Sequence, residues 1–284
     1  VREVMPPAVA EPAHKAVAAA LSTGETQIFE YELDAGGRRE WLDQRIVKIA
    51  DNEVLAITRD ISASRRTALL AATRLHLLAF AATHTLDELL QETLDRVGDL
   101  VDSPVGFYHF VEPDQTTLAL QAWSTLTLRD FCRAEGRGLH YDLEQAGVWA
   151  DCVRLRRPIV HNDFAAVPNQ RGMPDGHAVV LRELVVPIFR QERIVAILGV
   201  GNKPAHYDEA DLEMVTYLAD VAWEITERKR VEEALLREQQ QIAALADNLP
   251  GIAAHVDRNL RYLYASRGLL EAYGLSPQAI VGRV

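Results

Sequence analysis

The sequence predicts an α+β protein in which antiparallel sheets are joined and covered by helices. Three observations predict it. Residues 27–33 (Gln-Ile-Phe-Glu-Tyr-Glu-Leu) alternate as a half-buried strand does, between turn-forming residues. Residues 183–189 and 194–200 are almost continuously apolar and meet at Gln191-Glu192, the pattern of a central hairpin covered on both faces. From Asp208 onward, apolar residues recur at helical spacing far past the length of an ordinary helix.

From the N-terminus, residues 16–21 are Ala-rich and helix-prone, and Ser22-Thr23-Gly24 stops them. After the first strand, Asp34-Ala35-Gly36-Gly37 is a hairpin turn. Residues 41–49 and 54–57 continue the sheet around Asp51-Asn52, giving three antiparallel strands behind one helix. Such a half-core is marginal alone. Residues 65–102 read as helical, with Leu86, Leu89, Leu90, Leu94, Val97, Leu100 and Val101 on one face. Thr85 with Glu88 has the spacing of a capping box. Residues 105–111 and 118–123 are strands around Glu112-Pro113-Asp114. A helix is expected over 145–155, ended by Arg157-Pro158, and then a short buried strand at Ile159-Val160. Residues 162–176 form a long loop punctuated by Gly172, Pro174 and Gly176.

The last long helix begins at Asp208, with Asp211 as capping partner, and carries Leu212, Val215, Leu218, Val221 and Ile225 on one face. Val231, Leu235, Ile242, Leu245 and Leu249 extend the pattern, with Arg228 and Gln239 interrupting the seam. A short two-chain coiled coil is expected there, with a solvated single helix as the alternative. Asn248-Leu249-Pro250-Gly251 breaks the helix. A hairpin over 252–265 turns at Asp257-Arg258-Asn259, and a final helix over 266–273 ends at Gly274.

One motif occurs twice. Arg59-Asp60-Ile61-Ser62-Ala63-Ser64-Arg65-Arg66 follows a strand pattern, and Trp223-Glu224-Ile225-Thr226-Glu227-Arg228-Lys229-Arg230 follows a helical one. A domain end used twice suits modules joined by helices, and so relay better than catalysis. The 284 residues point to about two domains. With 30 basic and 41 acidic side chains the net charge is −11, and no basic stripe offers a nucleic-acid or anionic-membrane surface. No apolar run approaches the roughly 20 residues that span a bilayer. Glu3, Glu11, His14 and Lys15 exclude a secretory signal at the N-terminus. Two cysteines, Cys132 and Cys152, form no disulfide framework and fit a reducing cytoplasm, the expected location. Beginning without Met and ending at Gly282-Arg283-Val284, the chain reads as a piece of a longer protein.

Thr23-Gly24-Glu25, the Tyr31 strand, Asp51-Asn52-Glu53-Val54 and Asp60-Ile61-Ser62 resemble the C-terminal part of a PAS sensor domain, over 1–62. Leu249-Pro250-Gly251-Ile252 through Val281-Gly282-Arg283 resembles the start of a second PAS domain, over 248–284. Between them lie Val105-Gly106-Phe107-Tyr108, Gly147-Val148-Trp149-Ala150-Asp151-Cys152, Pro158-Ile159-Val160-His161-Asn162-Asp163, Arg182-Glu183-Leu184-Val185-Val186-Pro187-Ile188 and Ile197-Leu198-Gly199-Val200-Gly201-Asn202-Lys203. This set resembles a GAF domain, expected over 81–226, with an antiparallel sheet and helices packed on it. Residues 63–80 are then a linker helix and 227–247 a coiled-coil-like connector. The GAF type is similar to that found between PAS modules in bacterial sensor histidine kinases and cyclic-di-GMP enzymes.

Several chemistries remain open at this stage. His140, Cys152, His161, Asp163 and His177 are potential metal ligands, without the close spacing of known metal motifs. Cys152 has Arg154, Arg156 and Arg157 nearby, which would lower a thiol pKa in a redox sensor, but a buried structural thiol is the far commoner use of such a residue. The Cys-His pair of many bilin-carrying GAF domains is missing, and the GAF-fold methionine sulfoxide reductases need a richer cysteine set. Asn202-Lys203 with Tyr207-Asp208-Glu209 is similar to the signature of cyclic-nucleotide GAF domains, but with Tyr for Phe and a lost spacer; a Lys–Asp clasp between sheet and helix explains it as well. No nucleophile elbow, phosphate loop, cyclase or phosphodiesterase signature occurs.

The favoured expectation is a small-molecule pocket lined by Trp149, Cys152, His161, Asn162, His177 and Arg182: an apolar sheet face, an aromatic lid and a few polar groups. The ligand and any cofactor stay unidentified. The resemblance implies an input region relaying to an output domain, a histidine kinase first and a diguanylate cyclase or phosphodiesterase second. A homodimer is expected. A ligand-free dimerisation scaffold is the competing reading.

Overall fold

The computed structural model describes residues 7–34, 39–131, 140–168, 179–248 and 251–283. They form two units, 1–223 and 224–284.

The first unit opens with α1 (Pro7–Thr23), followed by β1 (Gln27–Asp34), β2 (Arg39–Ala50) and β3 (Glu53–Asp60), antiparallel in the order β1-β2-β3. Val9, Ala10, Ala13 and Ala20 of the helix are buried, as are Tyr31 and Ile46 of the sheet. The exit from β3 explains the first copy of the repeated motif. The Asp60 carboxylate accepts from Ser62 N at 2.8 Å, and the Ser62 hydroxyl accepts from Trp41 N at 2.8 Å. The Arg65 guanidinium lies 4.1 Å from the Trp41 ring centroid and pairs with Glu30. The acid thus holds the first N–H of α2 (Ser62–Ala81), and the hydroxyl and Arg65 fasten that helix to the sheet.

The helical stretch expected over 65–102, with its cap at Thr85, forms two helices, α2 and α3 (Leu86–Leu100). The reason is the capping box. The Thr85 hydroxyl accepts from Glu88 N at 3.3 Å, and the Glu88 carboxylate accepts from Thr85 N at 2.8 Å, which makes a new helix start.

The central sheet holds β4 (Val105–Val111), β5 (Thr117–Trp123), β6 (His140–Asp142), β7 (Ile159–His161), β8 (Glu183–Arg190) and β9 (Arg193–Gly201). Its order is β6-β5-β4-β9-β8-β7, with every neighbouring pair antiparallel. Alternation sends the side chains to two cores. Tyr108, Phe110, Leu184, Val186, Leu198 and Val200 pack with Leu90, Leu94 and Val97 of α3 and with Val215, Leu218 and Ala222 of α5 (Glu209–Asn248). Phe107, Val111, Leu118, Val185 and Ile197 face the other way, onto Ala146, Ala150, Cys152, Val153 and Ile159 of the crossover between β5 and β8. One contact is extreme: the Phe107 ring lies over Gly199, where an added Cβ would stand 2.1 Å from Phe107 Cζ.

The helix expected over 145–155 is smaller. A 3-10 turn (Val148–Ala150) leads into α4 (Asp151–Arg154), a single turn. Gly147 enters in extended conformation, and Arg156 takes φ +54° just beyond, so neither end propagates.

The second unit contains the rest of α5, the hairpin β10 (Ala254–Val256) and β11 (Tyr262–Ala265), α6 (Arg267–Tyr273) and α7 (Pro277–Ile280). The Ser266 hydroxyl accepts from Ala253 N at 3.0 Å and caps α6, and Gly274 ends that helix at φ +63°. The second copy of the repeated motif falls inside the unbroken α5 and starts no new element. Val231, Leu235, Ile242 and Leu245 are exposed on this helix. Among the described residues, no helix is long and apolar enough to cross a membrane.

Candidate functional site

The crossover covers one face of the central sheet, and the residues singled out from the sequence fall into two groups there. Trp149 and Cys152 form the first. The Trp149 ring stacks on His109 of β4, with centroids 4.7 Å apart and planes inclined by 28°. It also meets Phe107 edge-on at 5.8 Å, and Trp123 meets Phe107 edge-on at 6.1 Å. Cys152 is fully buried and its thiol donates to Trp149 O at 3.5 Å. Burial, reinforced by the Glu183 carboxylate, pushes this thiol well above the ordinary range.

That direction goes against a redox sensor and fits the buried structural thiol, the commoner reading. Two of the nearby arginines, Arg154 and Arg156, are occupied elsewhere. Arg154 donates to Gly147 O at 3.1 Å, to Ala146 O at 2.6 Å and to Asp151 at 2.5 Å, and Arg156 donates to Glu192 O. A sealed thiol without a facing cation lacks the environment of a redox cysteine.

His161, Asn162 and Arg182 form the second group, where β7 and β8 pair at His161 and Glu183. His161 Nδ1 and Glu183 Oε1 are 2.7 Å apart, and the Glu183 side chain is only 5% exposed. A buried carboxylate of this kind needs its partner. The Asn162 carboxamide donates to Tyr207 O at 3.0 Å and accepts from Tyr207 N at 2.7 Å. Arg182 Nη1 donates to Lys203 O at 3.2 Å, while its Nε is buried without a hydrogen-bond partner among the described residues. His177 and Cys132 lie outside the described residues, as does the side chain of His140.

Among the described residues, no three His, Cys, Asp or Glu side chains gather as a metal site. The residues compared with a cyclic-nucleotide signature hold the fold together. Lys203 Nζ pairs with Asp211 Oδ2 at 2.5 Å, with side chains 15% and 4% exposed. This is the clasp between sheet and helix that the sequence offered as the simpler explanation.

His109 was missed by sequence reasoning. Its imidazole is 4% exposed, and burial lowers its pKa from 6.5 to about 3, so it is neutral in the folded protein. The available signal was alternation: residue 109 shares its face with Phe107 and Val111. A second missed feature is a cleft of about 720 Å³ in the first unit, with Trp41, Arg65 and Arg66 on one side and Asp99, His206 and Met214 on the other. None of Trp149, Cys152, His161, Asn162 and Arg182 lines it. Its walls come from distant segments, which no local pattern reveals.

A family model described as GAF domain matches residues 83–227, and one described as PAS fold matches residues 1–66. The GAF-like architecture and the N-terminal PAS fold expected from the sequence are therefore both found. A curated relative, the methyl sulfide methyltransferase-associated sensor of Methanosarcina acetivorans, is 32% identical over 191 residues. That match covers 64% of this chain and 19% of the relative, so the chain spans only a small part of the relative's length. Among solved structures, the GAF domain of a phosphoenolpyruvate-protein phosphotransferase from Coxiella burnetii is similar at TM-score 0.48 and 18% identity, covering 61% of this chain and 98% of that one. The corresponding domain from Acinetobacter is similar at TM-score 0.47 and 16% identity, covering 57% and 94%.

Proposed function

Because the chain belongs to the GAF domain family, we propose that it is the sensory input region of a cytoplasmic signal-transduction protein. In this reading 1–62 is the end of a PAS domain, 63–80 a linker helix and 81–226 the GAF sensor. Residues 227–247 are the connecting helix and 248–284 the start of a second PAS domain. The GAF domain takes a small molecule beneath its crossover, bounded by Trp149, Cys152, His161, Asn162, His177 and Arg182. The output is a histidine kinase in first place and a cyclic-di-GMP enzyme in second. The bound molecule acts by preferring one of two states of the domain, since a ligand with equal affinity for both shifts nothing.

The observation that carries the reading is the succession of a PAS fold and a GAF domain with a 40-residue helix, α5, leaving the GAF sheet. The relative that shares part of this chain is named a sensor, which supports it. The exposed Leu235 and Ile242 support a homodimer formed along α5. The competing scaffold reading draws on a different observation: Trp149 stacks directly on His109, so side chains occupy this part of the crossover face.

Native mass spectrometry of the purified chain, followed by denaturation and small-molecule analysis, tests the proposal. A stoichiometric bound compound, or a compound that raises the melting temperature in a metabolite screen, supports the sensor. A dimer that is empty and unshifted by every compound favours the scaffold.

A further inference from the structure

Both ends of the crossover's long loop are fastened to one short segment, residues 202–207, that leads into α5. At the start of the loop, the Asn162 carboxamide accepts from Tyr207 N at 2.7 Å and donates to Tyr207 O at 3.0 Å. At its far end, the Asn202 carboxamide accepts from Leu181 N at 2.7 Å and donates to Val179 O at 2.8 Å. The two clasps run in opposite directions. One asparagine reaches from the crossover to the launching segment, and the other reaches back. Each binds a backbone donor and acceptor of the opposite segment, as a neighbouring strand would. Asn202 does so from φ +64°, a conformation that asparagine tolerates better than most residues.

The launching segment is in turn joined firmly to the helix. Asp208 N donates to Asp211 Oδ2 at 3.0 Å, and Asp211 N donates to Asp208 Oδ1 at 2.9 Å. Lys203 pairs with the same Asp211 carboxylate. The Tyr207 hydroxyl meets the Ser103 hydroxyl at 2.7 Å, which anchors the segment just beyond α3. Arg182 adds a third tie, its Nη1 donating to Lys203 O at 3.2 Å and its carbonyl accepting from Asn202 N at 2.9 Å. The clasps hold the segment at two separate points, one at each end of the loop.

We propose that Asn162 and Asn202 form a paired clasp that couples the crossover to the first turn of α5, as positioning residues. Its use in signalling rests on the sensory reading above; the coupling itself does not. Each clasp consists of neutral side-chain to backbone bonds, and each such bond shifts an equilibrium by roughly two- to tenfold. The link is therefore strong enough to pass a bias and weak enough to open.

The test uses hydrogen exchange on the full chain without added ligand. Asp208→Ala removes an exposed cap and loosens the first turn of α5. With the clasps intact, exchange should rise both at residues 209–212 and, by roughly two- to tenfold, at residues 163–168 and 179–182. In an Asn162→Ala, Asn202→Gly background the rise at α5 should persist, the further rise at residues 163–167 should vanish, and that at 179–182, still tied through Arg182, should shrink. Glycine at 202 suits the left-handed backbone, so only the carboxamide is lost. If that background also speeds exchange in β4 and β9, the comparison moves to Asn162→Asp, which keeps the acceptor for Tyr207 N and sets a carboxylate against Tyr207 O. A crossover that ignores Asp208→Ala, or responds equally with the clasps cut, overturns the proposal. An empty dimer that no compound of the screen stabilises would sink the sensory reading and leave this coupling standing, so the two fail separately.

Discussion

Lowering the pH from 7 to 5 is expected to destabilise the GAF domain through His109. The imidazole is sealed between β4 and Trp149, and its pKa falls from 6.5 to about 3. Above pH 6.5 the ring is neutral in both the folded and the unfolded chain, and the stability it leaves intact is fully present. Below 6.5 the unfolded chain takes up a proton that the folded chain refuses, so stability is lost as pH falls toward 3. Each pH unit in that window costs about 1.4 kcal/mol, which gives about 2 kcal/mol between pH 6.5 and 5. That is a large share of a domain stability of about 5–15 kcal/mol. The assay is urea unfolding at pH 7, 6 and 5, read by tryptophan fluorescence, for the wild type and for His109→Asn. The variant is less stable throughout, but the quantity read is the slope with pH. Comparing slopes removes the contributions of the other histidines, which both proteins share. Equal slopes would refute the reasoning, because they would mean that His109 is protonated without loss of the fold.

Gly199→Ala should destabilise by about 3 kcal/mol, since the new Cβ falls 2.1 Å from a rigid ring atom of Phe107. Phe107→Leu in the same chain should recover part of that loss, and a strictly additive double mutant would count against the contact. Cys152 should react with a thiol reagent no faster than the domain opens, because burial raises its pKa and covers its sulfur. Rapid labelling of the native chain at neutral pH, followed by identification of Cys152 in the modified peptide, would contradict this. Leu235→Asp and Ile242→Asp should each weaken self-association along α5, where both side chains are exposed. Light scattering that gives the same mass for both variants as for the wild type would remove the coiled coil.

Much of the architecture was legible because its causes are local. Strand alternation placed Tyr31 and Leu33 on one face, Thr85 with Glu88 marked a helix start, and Asp208 with Asp211 marked another. The almost continuously apolar segments 183–189 and 194–200 announced a sheet covered on both sides, and β9 lies at its centre with β8 beside it. The failures also have local causes. Residues 145–155 have enough helical composition to suggest a helix, yet Gly147 and the left-handed Arg156 confine it to little more than one turn on each side of Ala150. The arginines after Cys152 left a redox thiol open beside the commoner structural one, because proximity in sequence does not tell which way the Arg154 and Arg156 guanidinium groups point.

The sequence by itself determined which segments become most of the strands and helices and where several helices begin. These depend on residues two to four positions apart, whose relation the backbone period sets in advance. Only the tertiary structure decided the chemistry of individual groups. His109 is neutral because Trp149, from a different segment, covers it, and Asn162 is a clasp because the sheet brings Tyr207 to it. A side chain's proton affinity and its hydrogen-bond partners depend on everything folded around it, and that surrounding is assembled from residues far apart in the chain.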